Sequence, residues 1–139
     1  MNSVGRTIHA VLGLWHGLAA AQNIFDILAT TGVAPQLRPL ASKNVEAIGK
    51  TLERLHPSEE NVSALLAVAA AAEGVASASF LRGAFDGEIS LDGFALSLAL
   101  FGGFFLVDDA FDVYTLGADH RAIFTLVAAS YVASRAAQT

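Results

Sequence analysis

Two stretches without a single charged residue, Gly93 to Val107 and Ala122 to Ser134, constrain this chain more than any motif in it. A helix that faces water carries a polar stripe along its exposed side, and neither stretch has a charge on any face. The rest of the chain has the same character. Among its 139 residues, hydrophobic types make up 54% and Asp, Glu, Lys and Arg together 15%, against roughly 25% charged in a typical soluble domain. Mean hydropathy is +0.53. A soluble domain of this size has too much surface to cover with so few charges. The sequence therefore reads as one small integral membrane domain, against the alternative of a soluble Ala-rich four-helix bundle.

Charge and motif content narrow the function classes. With 8 Lys and Arg against 13 Asp and Glu, the formal charge is −5, and no basic run supplies a footprint for nucleic acid. The absence of cysteine removes disulfides, thiolate metal sites and a Cys nucleophile. The paired Glu-x-x-His motifs of ferritin-like di-iron sites are missing, since only Glu53 and His56 have that spacing, and His-Glu-x-x-His, the P-loop, Gly-x-Ser-x-Gly and the dinucleotide fingerprint do not occur. The apolar run after Arg6 superficially suits a signal peptide, but it continues through Ile24 and Phe25 to Leu28 and is interrupted by His16, so it reads as a retained first helix.

Four segments are expected to cross the membrane, each near the roughly 20 residues a span requires. They are helix one (about 7–30, closed by Gly32 and Pro35), helix two (about 59–81, opened by Pro57-Ser58 and closed by Gly83), helix three (about 92–116, capped by Ser90 or Asp92 and closed by Gly117) and helix four (about 120–136, capped by Asp119). Between helices one and two, Val45, Ile48, Leu52 and Leu55 recur at three- and four-residue intervals. They define an amphipathic helix over about 43–55, capped by Ser42, with Glu46 and Lys50 in the favourable order and Lys50, Glu53 and Arg54 on its charged face. It is expected to lie in the interface or to cover the bundle mouth as a lid. The fold expected is all-α: a four-helix transmembrane bundle with an interfacial amphipathic helix. Both termini then share one side, and Arg38, Lys43, Lys50, Arg54 and Arg121 on the opposite side, against Arg6, Arg82 and Arg135, favour that opposite side as cytoplasmic. The expected location is a bacterial-type cell membrane.

Ionisable residues inside a bilayer are functional candidates, because each is costly unless paired or hydrated. At mid-depth, His9, His16 and Asn23 repeat every seven residues along helix one, flanked by Gly13, Gly17 and Ala20. Helix two carries Glu73 at a depth similar to that of His16. An imidazole and a carboxylate brought together there would share a proton near neutrality, as a relay or ligand site, or would clamp two helices. At the loop-side end, Asp108, Asp109 and Asp112 occupy the last turns of helix three, where the helix dipole disfavours carboxylates. His120 and Arg121 begin helix four, where it disfavours cations, so each group is the natural partner of the other. Asp26 is expected at the same face. This cluster reads as a structural lock, a divalent cation site for a metal such as Mn or Fe, or a polar headgroup site. Phe101, Phe104, Phe105 and Phe111 around Gly102-Gly103 outline a slot for a quinone or lipid tail, or pack against neighbouring helices.

The run VLGLWHGLAAAQNIF in helix one, with LLAVAAAAEGVASASFLRG in helix two, resembles the DoxX-like small membrane proteins. The likeness covers helix order, the long first loop and some 35 residues of loose pattern. It implies a four-helix subunit associated with quinone or thiol redox enzymes, with His16 and Glu73 at the matched positions.

Three functions fit these residues: a non-catalytic accessory or structural subunit whose polar clusters clamp helices and hold a lipid or quinone head; a proton- or cation-handling transporter working through Glu73 and His16; and a subunit of a membrane oxidoreductase. Only the third requires a cofactor, either a quinone or a divalent metal. The expected partners are the lipid bilayer and either another membrane protein or a second copy, for which Gly13, Gly17 and Ala21 offer a small-residue face.

Overall fold

The computed structural model describes the backbone of residues 1–111 and 114–138, and the side chains of these except 114–117. The elements are helical throughout: α1 (Ser3–Thr30), α2 (Asn44–Thr51), α3 (Glu59–Asp86), α4 (Leu91–Ala110) and α5 (Tyr114–Ala136), with 3-10 turns at Pro35–Leu40 and Glu53–Leu55. No strand occurs among the described residues. Helices α1, α3, α4 and α5 correspond to helices one to four of the sequence, and α2 to the amphipathic segment. Two of them, α3 and α4, are long and apolar enough to cross a membrane.

Several boundaries move, each for a local reason. Gly83 was expected to end helix two, yet α3 runs on to Asp86 and breaks at Gly87, whose φ of +76° lies where glycine is favoured. Gly83 is small because of packing instead: a Cβ there would sit 2.8 Å from the Glu88 carbonyl oxygen and 2.9 Å from the His9 ring. Helix three stops at Ala110 rather than near residue 116, and helix four starts at Tyr114, so Asp119 lies inside α5 and is not its cap. Ser90 does cap α4, its hydroxyl accepting the Gly93 N–H at 3.1 Å. The amphipathic segment is α2 followed by a 3-10 turn, broken at Leu52. Pro35 opens a 3-10 turn beyond Gly32, where the sequence reading has only a stop.

The chain divides into two compact units, with the divisions falling inside α1 and α3. The first comprises Met1–Gly17 and Ala72–Thr139. Its core is Leu12, Ala76, Phe80, Phe94 and Val127, with Trp15, Ile123 and Tyr131 packed against it. Helices α4 and α5 run antiparallel, as the ring contacts Phe94 with Tyr131 and Phe105 with Phe124 require. Helices α1 and α3 are also antiparallel, and α1 uses its glycines for the approach. A Cβ on Gly13 would meet Leu81 at 2.7 Å and one on Gly17 would meet the Ser77 hydroxyl at 2.9 Å. Ser77 also donates to the Gly13 carbonyl at 2.7 Å. The Gly13/Gly17 face expected to receive a second copy is thus occupied by α3 of the same chain.

The second unit, Leu18–Ala71, holds the second half of α1, both 3-10 turns, α2 and the start of α3. Val45 of α2 is buried with Val62 and Leu66 of α3, and Ile27 and Ile48 pack alongside. The apolar stripe of the amphipathic segment is therefore used at its N-terminal end, in α2, while Leu55 in the 3-10 turn that follows stays exposed.

Candidate functional site

Helices α1 and α4 run parallel, and the two histidines of α1 meet α4 at one fixed offset of 81 positions. His9 reaches Ser90 and His16 reaches Ser97, so a seven-residue repeat on one helix reads a seven-residue repeat on the other. Both imidazoles are fully buried. The His9 Nδ1 lies 2.9 Å from the Gly5 carbonyl and its Nε2 lies 3.1 Å from the Ser90 backbone N–H. An amide can only donate and a carbonyl can only accept, so Nδ1 carries the proton and Nε2 offers its lone pair. Both ring nitrogens are satisfied in the neutral ring, and His9 acts as a hydrogen-bonded tie between helices.

His16 is satisfied on one side. Its Nε2 is 2.7 Å from the Ser97 hydroxyl, which also sits 2.8 Å from the Gly93 carbonyl. The single hydroxyl proton goes to that carbonyl, so His16 donates from Nε2 and its Nδ1 is left as a lone pair. Among the described residues Nδ1 has no hydrogen-bond partner. Around the ring stand Phe80 at 5.8 Å, nearly parallel, Trp15 at 4.9 Å and Phe101 at 6.0 Å, and Trp15 stacks on Phe101. The tie of His16 thus goes to Ser97, where the sequence reading pairs it with Glu73. Glu73 itself is buried, 4% exposed, in α3.

At the other end of α4, His120 approaches Asp108 at 2.5 Å, with Asp108 buried. Arg121 pairs with Asp109, both half exposed. A one-residue shift along each helix separates a shielded pair from a solvated one, and solvent screening weakens the exposed pair. His120 lies in the second turn of α5, beyond the N-terminal turn the dipole argument assumes. Its ring faces Phe104 at 5.1 Å, and Phe124 fills the space over Gly102, with 3.3 Å to a Cβ built there. That part of the expected aromatic slot is closed by packing. Asp112 lies outside the described residues. Among those described, no group of three or more His, Cys, Asp or Glu is placed to hold a metal ion.

Asp26 is not part of that end cluster in its contacts. It is fully buried in the second unit and gathers Arg38 Nη1 at 2.7 Å, the Val45 backbone N–H at 2.8 Å, the Ser42 hydroxyl at 3.3 Å and the Thr30 hydroxyl at 3.5 Å. The carboxylate of α1 therefore caps α2 from outside that helix. The cap position is Lys43, whose side chain makes no capping bond, while Ser42, expected as the cap, lies one residue earlier and its hydroxyl accepts the Asn44 N–H at 3.4 Å. Asn23 joins the same network, its side-chain oxygen accepting from Asn44 at 2.7 Å and from Ser42 at 3.0 Å.

Sequence reasoning missed Ser90, Ser97, Arg38 and Thr30 as members of these sites. The signal for the serines was present, since Ser90 and Ser97 repeat the seven-residue spacing of His9 and His16. For Arg38 no spacing rule applied, because a loop brings it back to α1. No family model matches the chain, and no match to it was found among curated proteins or solved structures.

Proposed function

We propose that this chain is a multi-pass membrane protein with an accessory or structural role, its four long helices spanning the bilayer, α2 at the interface, and its buried polar residues setting helix register. One observation carries the reading: many ionisable and polar residues are buried alongside the apolar core while long apolar side chains on all four long helices face outward. His9, His16, Asn23, Asp26, Glu73 and Asp108 are buried, while Leu14 and Leu18 on α1, Val68 and Val75 on α3, Leu106 on α4 and Val132 on α5 are exposed. So many exposed aliphatic side chains on long apolar helices are favoured in hydrocarbon, where buried polar residues must also face the bundle interior. The most apolar windows of α3 and α4 are only 39% and 28% buried, whereas the core helix of a soluble protein buries most of its surface.

The His9–Ser90 and His16–Ser97 ties support the structural role, since each satisfies a ring nitrogen between two helices and His9 has no nitrogen left over. On this proposal the DoxX-like pattern of helices one and two stands as kinship in helix order, and a quinone- or thiol-linked redox enzyme is the first partner to seek. The test begins with fractionation: the chain stays with membranes through alkaline carbonate and leaves them only in detergent, and recovery in the carbonate supernatant would overturn the membrane reading. Glu73→Gln then lowers the thermal midpoint in detergent and leaves proton flux into liposomes at the level of empty vesicles. Flux in the parent chain that disappears in the variant, at unchanged stability, would replace the structural role with transport.

A further inference from the structure

The second unit contains an open cavity of about 490 Å³ between the end of α1, α2 and the start of α3, within the roughly 300–1,000 Å³ typical of ligand sites. Its floor is apolar, from Val45 and Val62, and its walls carry two cations, Arg38 and Lys43, and two carboxylates, Glu46 and Glu59. We propose that this cavity binds the zwitterionic headgroup of a phospholipid, the phosphate against Arg38 and Lys43 and the ammonium against Glu46 and Glu59.

The site is built. Arg38 is half exposed, yet its guanidinium is fixed by two bonds, Nη1 to the fully buried Asp26 at 2.7 Å and Nη2 to Thr30 at 2.8 Å. Asp26 is in turn held by the Val45 N–H and the Ser42 hydroxyl. A guanidinium has five N–H donors, so donors remain for a ligand on a group whose orientation is already set, and little ordering entropy is lost on binding. Lys43 and Glu59 make no side-chain hydrogen bond among the described contacts. Glu46 is held by Lys50 at 2.6 Å, and that bond, with Lys43 and Arg38 nearby, lowers its pKa and keeps it ionised.

The balance of charge selects the ligand class. A simple anion meets two carboxylates along with the two cations, and a simple cation meets the converse, whereas a zwitterion satisfies both pairs. The position agrees: Thr30 ends one long apolar helix and Glu59 begins another, which is the level at which a bilayer changes from hydrocarbon to headgroups.

This inference rests on the membrane reading above, and its test keeps the two separable. The full chain in detergent is titrated calorimetrically with short-chain phosphatidylethanolamine, short-chain phosphatidylglycerol, glycerophosphoethanolamine and inorganic phosphate. Saturable binding of the ethanolamine lipid, tighter than the glycerol lipid and weakened about tenfold in Lys43→Gln and in Glu59→Gln, is expected. Equal binding of the two lipids, or binding indifferent to both substitutions, overturns the proposal. Phosphate binding as tightly as the lipid makes the cavity a phosphate site and overturns it as well. Glycerophosphoethanolamine binding to a chain that fractionates as soluble keeps the headgroup chemistry and removes only the membrane; a carbonate-resistant chain that binds neither ethanolamine compound removes only the headgroup site.

Discussion

At Ser97 a single hydroxyl serves two helices, accepting from His16 of α1 and donating to the Gly93 carbonyl of its own. Removing it strands a buried N–H in an aromatic surround, and an unmade bond of that kind costs more than the made bond contributes. Ser97→Ala is expected to lower unfolding stability by about 1–2 kcal/mol, the cost of leaving that buried donor unmade. His16→Phe combined with Ser97→Ala removes both polar groups and recovers part of that loss, since Phe80, Trp15 and Phe101 already line the space. Denaturant unfolding of the parent, both single variants and the double variant measures the coupling. A coupling near zero would mean the 2.7 Å contact contributes nothing to holding α1 against α4.

The elements show what a sequence discloses and where it stops. The four long helices and α2 are legible because each is encoded locally, by length, apolar content and three- or four-residue periodicity. The Asp108 and Asp109 partners are legible for the same reason: two helices joined by a short turn bring residues 108 and 109 to 120 and 121 by spacing alone. Asp26 is the counterexample. Its partners Arg38, Ser42 and Val45 lie 12 to 19 residues away across a loop, and nothing local distinguishes a carboxylate that caps another helix from one that ends its own. The same long-range geometry hides the role of Gly83, which reads as a helix stop and serves as packing space for His9. Asp26→Ala withdraws the acceptor at the α2 N-terminus and frees Arg38. Because Arg38 is half exposed it rehydrates, leaving mainly the loss of the cap, about 1–2 kcal/mol. The expected outcome is local: amide exchange at Val45 and Ile48 accelerates and trypsin cuts sooner at Lys43 and Lys50, while α4 and α5 keep their protection. Uniform loss of protection along the chain would show that Asp26 supports the whole fold.

For the molecule as a whole, the decisive quantity is the solvent that its outer apolar residues face. Val68 and Val75 of α3 are 70% and 55% exposed and lie seven residues apart, two helical turns along one side near the middle of a 28-residue helix. If water surrounds them, lysine at either position is an ordinary surface change worth no more than about 0.5 kcal/mol, and it improves solubility. In hydrocarbon the same lysine costs about 2.5–3.5 kcal/mol at mid-span on insertion scales, and the double substitution exceeds the modest tilt or snorkelling a single helix allows. Val68→Lys with Val75→Lys should therefore abolish accumulation in the membrane fraction. The paired control, Glu53→Lys on the exposed polar side of the loop, should leave it unchanged. Abundant soluble double variant with a normal thermal midpoint would place these valines in water. The exposed valines and leucines of α3 would then have to be explained by a protein partner covering that face.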